Sequence, residues 1–263
     1  MANPRLITLT TDFGTHDWFV GTMKGVIRGI ESRATVIDLT HEIPPGDIRA
    51  AAFALAASYQ FFPKGTVHVS VVDPGVGSER RGLAVRTRKY FFVGPDNGVL
   101  SWALAREKVV SVHALQNPDY FLKPVSRTFH GRDIFVPVAA HLCQGAPLTA
   151  LGPALKDFAR LEWPGLAKSD GGLMGEVFYI DRFGNAITNI DARSLANAEN
   201  WEVILRGKKV CRTAGFYQAV PPGRLLAVRG SSGFLELAVN GGNAARKLRL
   251  GVGDQLLVRP LEG

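Results

Sequence analysis

Cysteine is scarce in this chain. Cys143 and Cys211 are the only two in 263 residues, and neither has metal-ligand neighbours at usable spacing. That excludes a disulfide framework and predicts free thiols in a reducing compartment, hence a cytoplasmic protein. No apolar run approaches the roughly 18–20 residues of a membrane span. The short apolar run ending at Asp12 falls below the core of a secretory signal, so a soluble protein with no membrane partner is expected. The net charge of +8 and pI near 9.7 raise the question of nucleic acid. The basic residues are scattered, however, with no Lys/Arg run and no aromatic RNA-binding signature, so no nucleic-acid partner is expected. Phosphate-cradling Gly-x-x-x-x-Gly-Lys, dinucleotide Gly-x-Gly-x-x-Gly and nucleophile-elbow Gly-x-Ser-x-Gly are all missing, as is any zinc-spaced cluster. The usual ATPase, dehydrogenase, esterase and zinc-hydrolase readings lose their footing, and no metal is expected.

What is present is an ordinary globular composition, 46% hydrophobic and 21% charged, with no low-complexity tract or internal repeat. Strand patterns at 6–10, 36–39 and 67–72 alternate with helical patterns at 18–30 and 47–59. Further strands are expected around 83–87, 90–93 and 109–115, and a helix at 134–142. This alternation predicts an α/β domain with a mostly parallel central sheet, over residues 1–165. A Gly/Pro-rich passage gives a linker at 166–172. Short alternating runs separated by turn signals then predict a smaller all-β domain, an antiparallel barrel-like unit over 173–263.

Chemistry-bearing residues gather at strand ends. Asp73 closes the apolar run 66–72. Pro74 stops the ladder, Gly75 and Gly77 free the backbone, and Arg80 and Arg81 follow. Ligands of open α/β sheets bind beyond the carboxyl ends of the strands, where this acid, loop and guanidinium lie. Asp12 follows the first strand and could face the same crevice. His130 lies between Phe129 and Gly131, just before a helix. In the second domain the turns 181–185 and 231–234 present polar edges beside an aromatic, which suits a flat, polar-edged ligand such as a nucleoside.

Taken in order, these segments resemble one family. They are Thr-Thr-Asp-Phe-Gly (10–14) with Gly-Thr-Met-Lys-Gly (21–25), Val-Asp-Pro-Gly-Val-Gly-Ser-x-Arg-Arg (72–81), Gly-Pro-Asp-Asn-Gly (94–98), Phe-His-Gly-Arg-Asp (129–133), Asp-x-Phe-Gly-Asn (181–185) and Ser-Ser-Gly-Phe-Leu-Glu (231–236). The family is that of the S-adenosyl-L-methionine hydroxide adenosyltransferases, relatives of the fluorinase and chlorinase enzymes. The resemblance implies that water or hydroxide attacks the ribose C5′ of S-adenosyl-L-methionine, giving adenosine and L-methionine. S-adenosyl-L-methionine is then the substrate and no cofactor is called for. It also implies a homotrimer, with ligand sites formed between neighbouring subunits.

By motif, Asp73, Arg80 and His130 fall where the hydrolases place a water-holding triad, and Arg81 becomes a structural neighbour. Asp12 falls where the family binds the ribose hydroxyls. Asp181, Phe183 and Asn185 fall at the methionine- and base-contacting turn. Ser231 and Glu236 fall on the ligand wall, and the backbone near Val239 would read the adenine edge. Two positions depart from the halogenating relatives, which carry an aromatic near the position of Gly46 and, in the fluorinase, a tryptophan where Ile187 stands. The same residues leave two alternatives to hydrolysis. Halogenation on the same scaffold is opposed by the carboxylate of Asp73, and a non-catalytic adenosine or RNA binder lacks a stacking signature. Which triad member takes the proton stays open at the level of sequence.

Overall fold

The structure, a computed structural model, describes residues 5–169, 171–195 and 201–261. The chain forms two compact units, up to Glu162 and from Trp163 onward. The first runs β1 (Leu6–Thr11), α1 (Phe19–Ile30), β2 (Thr35–Thr40), α2 (Ile48–Ser58), β3 (Val67–Val71), β4 (Gly82–Thr87) and β5 (Phe91–Pro95). It continues through α3 (Ser101–Leu104), β6 (Val109–Ala114), α4 (Val136–Cys143) and α5 (Leu148–Leu151). Six strands form one sheet in the order β2-β1-β3-β5-β4-β6. The first three pairings are parallel, while β4 lies antiparallel to both β5 and β6. The sheet is therefore mixed, its parallel half carrying the strand ends of interest. Only three residues join β4 to β5, too few for a parallel crossover, so the pair must be an antiparallel hairpin, a constraint that the mostly parallel expectation overlooked.

Side-chain alternation along β1 explains the layering. Ile7 and Leu9 are fully buried with Met23 and Ile27 of α1 and Val136, Ala139 and Ala140 of α4. Burying each large apolar side chain stabilises by about 1.5–3 kcal/mol. The other face buries Thr8, Thr10, His68 and Ser70. There the His68 ring lies among Tyr59, Phe62, Tyr90 and Phe92, and its Nδ1 is 2.8 Å from Thr8 Oγ1. Tyr59 follows α2 directly, so this is the α2 side of the sheet. Asp47 caps α2 as its position suggests, its side chain accepting from Ala50 N at 2.9 Å.

The second unit contains β7 (Ala167–Ser169), β8 (Gly172–Ile180), β9 (Ala186–Asp191), β10 (Trp201–Leu205), β11 (Lys208–Ala214), β12 (Leu225–Arg229), β13 (Phe234–Val239), α6 (Ala244–Leu248) and β14 (Gln255–Pro260). Strands β14-β10-β11-β12-β13-β9-β8 are consecutive neighbours, and β8 also pairs with β14, so seven strands close into a barrel. The ladders are antiparallel except β11–β12. Val177, Ile190, Val203, Leu237 and Val258 fill its interior with no exposure. The stretch 166–172, read from sequence as a linker, holds β7 paired on β8. Ahead of it, Trp163 stacks on Phe234 with ring centroids 5.1 Å apart.

Candidate active site

Strands β1 and β3 are direct neighbours, and their last residues, Thr11 and Val71, are register partners. The loops that begin at Asp12 and Val72 therefore leave the sheet side by side. Asn97 of the Gly-Pro-Asp-Asn-Gly turn donates its amide to the carbonyl of Val72 at 2.8 Å and fixes the exit of Asp73. The loop then folds tightly, with Val76 N donating to Asp73 O and Ser78 N to Gly75 O, both at 3.1 Å. This return brings Arg80 back over Asp73. Gly77 permits it, because its φ is +78° and a Cβ there would lie 2.2 Å from the carbonyl oxygen of Arg127. Gly77→Ala is expected to cost at least about 2 kcal/mol by denaturant unfolding and to depress activity with it. An unchanged midpoint would mean that the loop does not need this approach.

The Arg80 guanidinium is the centre of a three-residue chain. Its Nε donates to both carboxylate oxygens of Asp73 at 2.9 Å, and its Nη2 donates to Asp73 Oδ2. The same Nη2 lies 2.8 Å from His130 Nδ1. Asp73 and Arg80 are both largely buried, and the guanidinium sits 5.2 Å over the Phe135 ring. A guanidinium can only donate, so Nδ1 of His130 must be the unprotonated, accepting nitrogen. Burial, then the Arg80 cation, hold the imidazole below its ordinary pKa, against the opposing pull of Asp73 and Asp133. The carbonyl of Ser126 also faces the ring. With Nδ1 accepting, the neutral ring carries its hydrogen on Nε2.

His130 is held by an unusual helix start. Residues Gly131–Phe135 form a π turn in which Val136 N donates to Gly131 O. Pro137 has no N–H for the Asp133 carbonyl, and Leu122 N takes that oxygen at 2.9 Å. Asp133 is fully buried, accepting from Ser126 N at 2.8 Å and from Arg132 Nε at 2.6 Å. Burial pushes its carboxyl up, but these donors outweigh that and hold it below the usual range. Such π turns recur at functional positions.

Asp12, Asp73 and His130 line one cleft of about 360 Å³, together with Gly46 and an aromatic wall. Phe13, Phe19 and Phe129 make that wall, with centroids 5.3–5.9 Å apart. Asp12 Oδ2 accepts from Gly46 N at 2.8 Å, and its other carboxylate oxygen is available to the cleft. Gly46 adds no side chain, so no aromatic covers the cleft at that position. Arg81 turns away and donates to Asp96 Oδ2 at 2.7 Å, which makes it a brace of the loop. Phe19 was absorbed into a helical pattern by sequence, and only the fold reveals its wall role.

The remaining candidates belong to the barrel unit. Asp181 closes its own turn, accepting from Asn185 N at 2.8 Å and Asn185 Nδ2 at 3.0 Å, and leaving Phe183 three-quarters exposed. Glu236, buried on β13, accepts from Tyr217 OH at 2.7 Å. Burial and the nearby Asp181 charge raise the Glu236 carboxyl, while the Tyr217 bond works against them. Burial, the Glu236 bond and the acidic neighbours push the Tyr217 hydroxyl up to about 12. Tyr217 thus joins Asp181 and Glu236 in one polar cluster, a member that no sequence motif singled out. Ser231 lies in the exposed turn before β13. Val239 ends that strand, with its carbonyl taken by Gly242 N at 3.0 Å. Ile187 is buried on β9. Among the described residues, no three His, Cys, Asp or Glu side chains are grouped to hold a metal ion.

An α/β unit with a charged triad at its parallel strand ends, followed by a closed barrel, matches a solved structure from Thermotoga maritima described as an uncharacterized conserved protein. The TM-score is 0.91 at 37% identity, over 96% of this chain and 99% of that one. The chain belongs to the SAM hydroxide adenosyltransferase family, whose N-terminal domain matches residues 7–152 and whose C-terminal domain matches residues 175–257. A relative from Salinispora arenicola, named (R)-S-adenosyl-L-methionine hydrolase, is 43% identical over 98% of this chain and 99% of its own length. A fluorinase from Actinoplanes sp. is more distant, at 28% identity over 74% of each chain.

Proposed function

We propose that this enzyme hydrolyses S-adenosyl-L-methionine to adenosine and L-methionine, taking the (R) sulfonium epimer that its relatives' name specifies. The observation that carries the reading is the Asp73–Arg80–His130 chain facing a cleft that also holds Asp12. Asp73, Arg80 and His130 hold one water in line with the C5′–S bond. Asp12 accepts from the ribose hydroxyls, for which two carboxylate oxygens match a vicinal diol. Asp181, Phe183, Asn185, Ser231, Glu236 and the backbone near Val239 bind the methionine and base portions. A sulfonium is its own leaving group, so the reaction calls for no cofactor and no acid to expel methionine.

The order of donors in the triad supports one assignment of the proton. Water oxygen forms the new C5′–O bond as the C5′–S bond breaks and its electron pair leaves with sulfur. As the bond forms, the oxygen becomes strongly acidic, so a carboxylate in contact suffices to accept its proton. With Nδ1 of His130 filled by Arg80, the imidazole has no lone pair to spare. We therefore assign acceptance to Asp73 and orientation of the water to His130, with Arg80 stabilising charge on the attacking oxygen. The reaction releases one proton to solvent for each turnover.

Two measurements test this. Turnover in ¹⁸O-labelled water with chloride present, followed by mass spectrometry, is expected to give labelled adenosine and methionine. A 5′-chloro nucleoside would establish halogenation instead, which the Asp73 carboxylate opposes by repelling an anion. The pH profile of kcat is expected to stay flat through neutrality and fall only below the ordinary histidine range, because His130 must be neutral and its pKa is depressed. A limb rising through pH 7 would assign His130 the role of base.

We further propose that residues 1–165 form the catalytic domain, with 166–172 as a linker and 173–263 as the second domain. A homotrimer is proposed as the working assembly. Exposed Trp18, Phe61, Phe183 and Phe216 support association, and light scattering tests it. Two free thiols, the half-buried Cys143 and the buried Cys211, whose pKa values burial pushes up to about 12, support the cytoplasmic assignment.

A further inference from the structure

The segment Gly-Thr-Met-Lys-Gly (21–25) takes no part in the chemistry above, yet its lysine starts a polar chain that ends beside Asp12. Lys24 Nζ on α1 donates to Asp38 Oδ2 on β2 at 2.5 Å. Asp38 Oδ1 lies 3.1 Å from Nε2 of His41. His41 Nδ1 is 2.8 Å from Thr11 Oγ1, and that oxygen also accepts from Phe13 N at 3.2 Å. His41 is 3% exposed and Thr11 fully buried. Lys24 and Asp38 reach the surface.

The Asp38 carboxylate gives this chain a preferred direction. It faces His41 Nε2 at 3.1 Å without hydrogen-bond geometry, an electrostatic contact that favours the hydrogen on that nitrogen. Nδ1 then accepts from the Thr11 hydroxyl, and the Thr11 oxygen keeps a lone pair for Phe13 N–H. The backbone reinforces it, since Gly14 N donates to His41 O at 2.7 Å and Ile43 N to Thr11 O at 3.4 Å. The loops after β1 and β2 are thus laced together on both sides of Asp12, whose own carboxylate accepts from Gly46 N of the second loop.

We propose that His41, held by Asp38 and Lys24, is a positioning residue for the Asp12 carboxylate and so for recognition of the ribose diol. The proposal rests on the reading of Asp12 as the diol acceptor. His41 touches no substrate and acts only through Thr11 and the Asp12–Gly14 loop. Its loss frees the loop to rotate the carboxylate away from the two hydroxyls, while Asp73, Arg80 and His130 keep their own bonds.

The test compares adenosine with 2′,3′-dideoxyadenosine as ligands of the full-length enzyme, by calorimetry, alongside KM and kcat for S-adenosyl-L-methionine. His41→Phe is expected to weaken adenosine about tenfold and raise KM by a similar factor, the scale of one or two lost hydrogen bonds. Dideoxyadenosine affinity and kcat should stay within about threefold of wild type by the same reckoning. His41→Asn, which can keep an acceptor for the Thr11 hydroxyl, should recover most of the loss. Asp38→Ala, at a half-exposed site, provides a second variant with the same expected pattern should His41→Phe fold poorly. Equal weakening of both nucleosides, or a fall in kcat with KM unchanged, would overturn the proposal in favour of a general structural role. Asp12→Ala separates the two readings. If it leaves discrimination between the nucleosides intact, the diol reading of Asp12 falls and the proposal falls with it. If Asp12→Ala abolishes discrimination and neither His41→Phe nor Asp38→Ala alters it, the positioning proposal alone is lost.

Discussion

Arg80→Met is expected to lower kcat/KM by a factor of about 10³ or more, because one side chain supplies both the charge at the attacking oxygen and the geometry of its two partners. Nε and Nη2 hold Asp73, and Nη2 also holds His130. Without them neither group has a fixed orientation. The same substitution leaves the Asp73 carboxylate, itself 5% exposed, without its counter-charge. Removing one partner of a buried pair costs about 3–5 kcal/mol, so the variant should also unfold at markedly lower denaturant. Arg80→Lys separates the two effects. It restores charge to Asp73 but cannot serve both partners with a planar fork, so stability should recover further than turnover. Measured adenosine release within about tenfold of wild type in Arg80→Met would remove the triad from the mechanism.

The second large effect concerns acid stability and lies on the other side of the sheet. His68 is fully buried among four aromatic rings, and burial lowers its pKa to about 3. In the unfolded chain the same ring takes a proton near pH 6.5. Below that value the unfolded state binds more protons than the folded one, so stability declines as pH falls toward the folded pKa. Above about pH 6.5 the group contributes no pH dependence. The slope from one such histidine is about 1.4 kcal/mol per pH unit. His68→Phe is expected to remove a slope of that size between pH 6 and 4 when urea unfolding of the two proteins is compared. Loss of the Thr8 bond should lower its stability at neutral pH. Parallel pH curves would show that His68 protonates within the fold.

Much of this site could be read before any fold was known, for a local reason. Asp12 and Asp73 each follow a buried apolar strand, and parallel neighbours must end near one another. Motif order supplied the association with His130. Arg80 and Arg81 were harder, since adjacent identical residues differ only in which carboxylate the turn lets them reach. The bond from Arg81 to Asp96, fifteen residues away, distinguishes them. The pairing of β4 with β6 and the Tyr217–Glu236 bond depend on contacts distant in sequence. Periodicity within a window carries no information about these. His41 shows the same limit: alone in a Pro-rich loop it reads as a turn residue, and only the adjacency of β1 and β2 brings it to Thr11.

The two sheets of this chain differ in how they can come apart. In the barrel each of the seven strands is bonded on both sides, so releasing one requires breaking two ladders. The sheet of the first unit has no such closure. One end, at β6, is shielded by residues 153–155, where Leu155 N donates to Val112 O and Ala114 N to Pro153 O. The other end is β2, joined among the described residues only to β1, with Asp38 exposed along it as a charge that discourages another strand from adding. Amide exchange should follow this difference, fastest along the outer side of β2 and slowest in the barrel ladders. The strand that steadies Asp12 through Asp38 is then also the first part of its sheet to open.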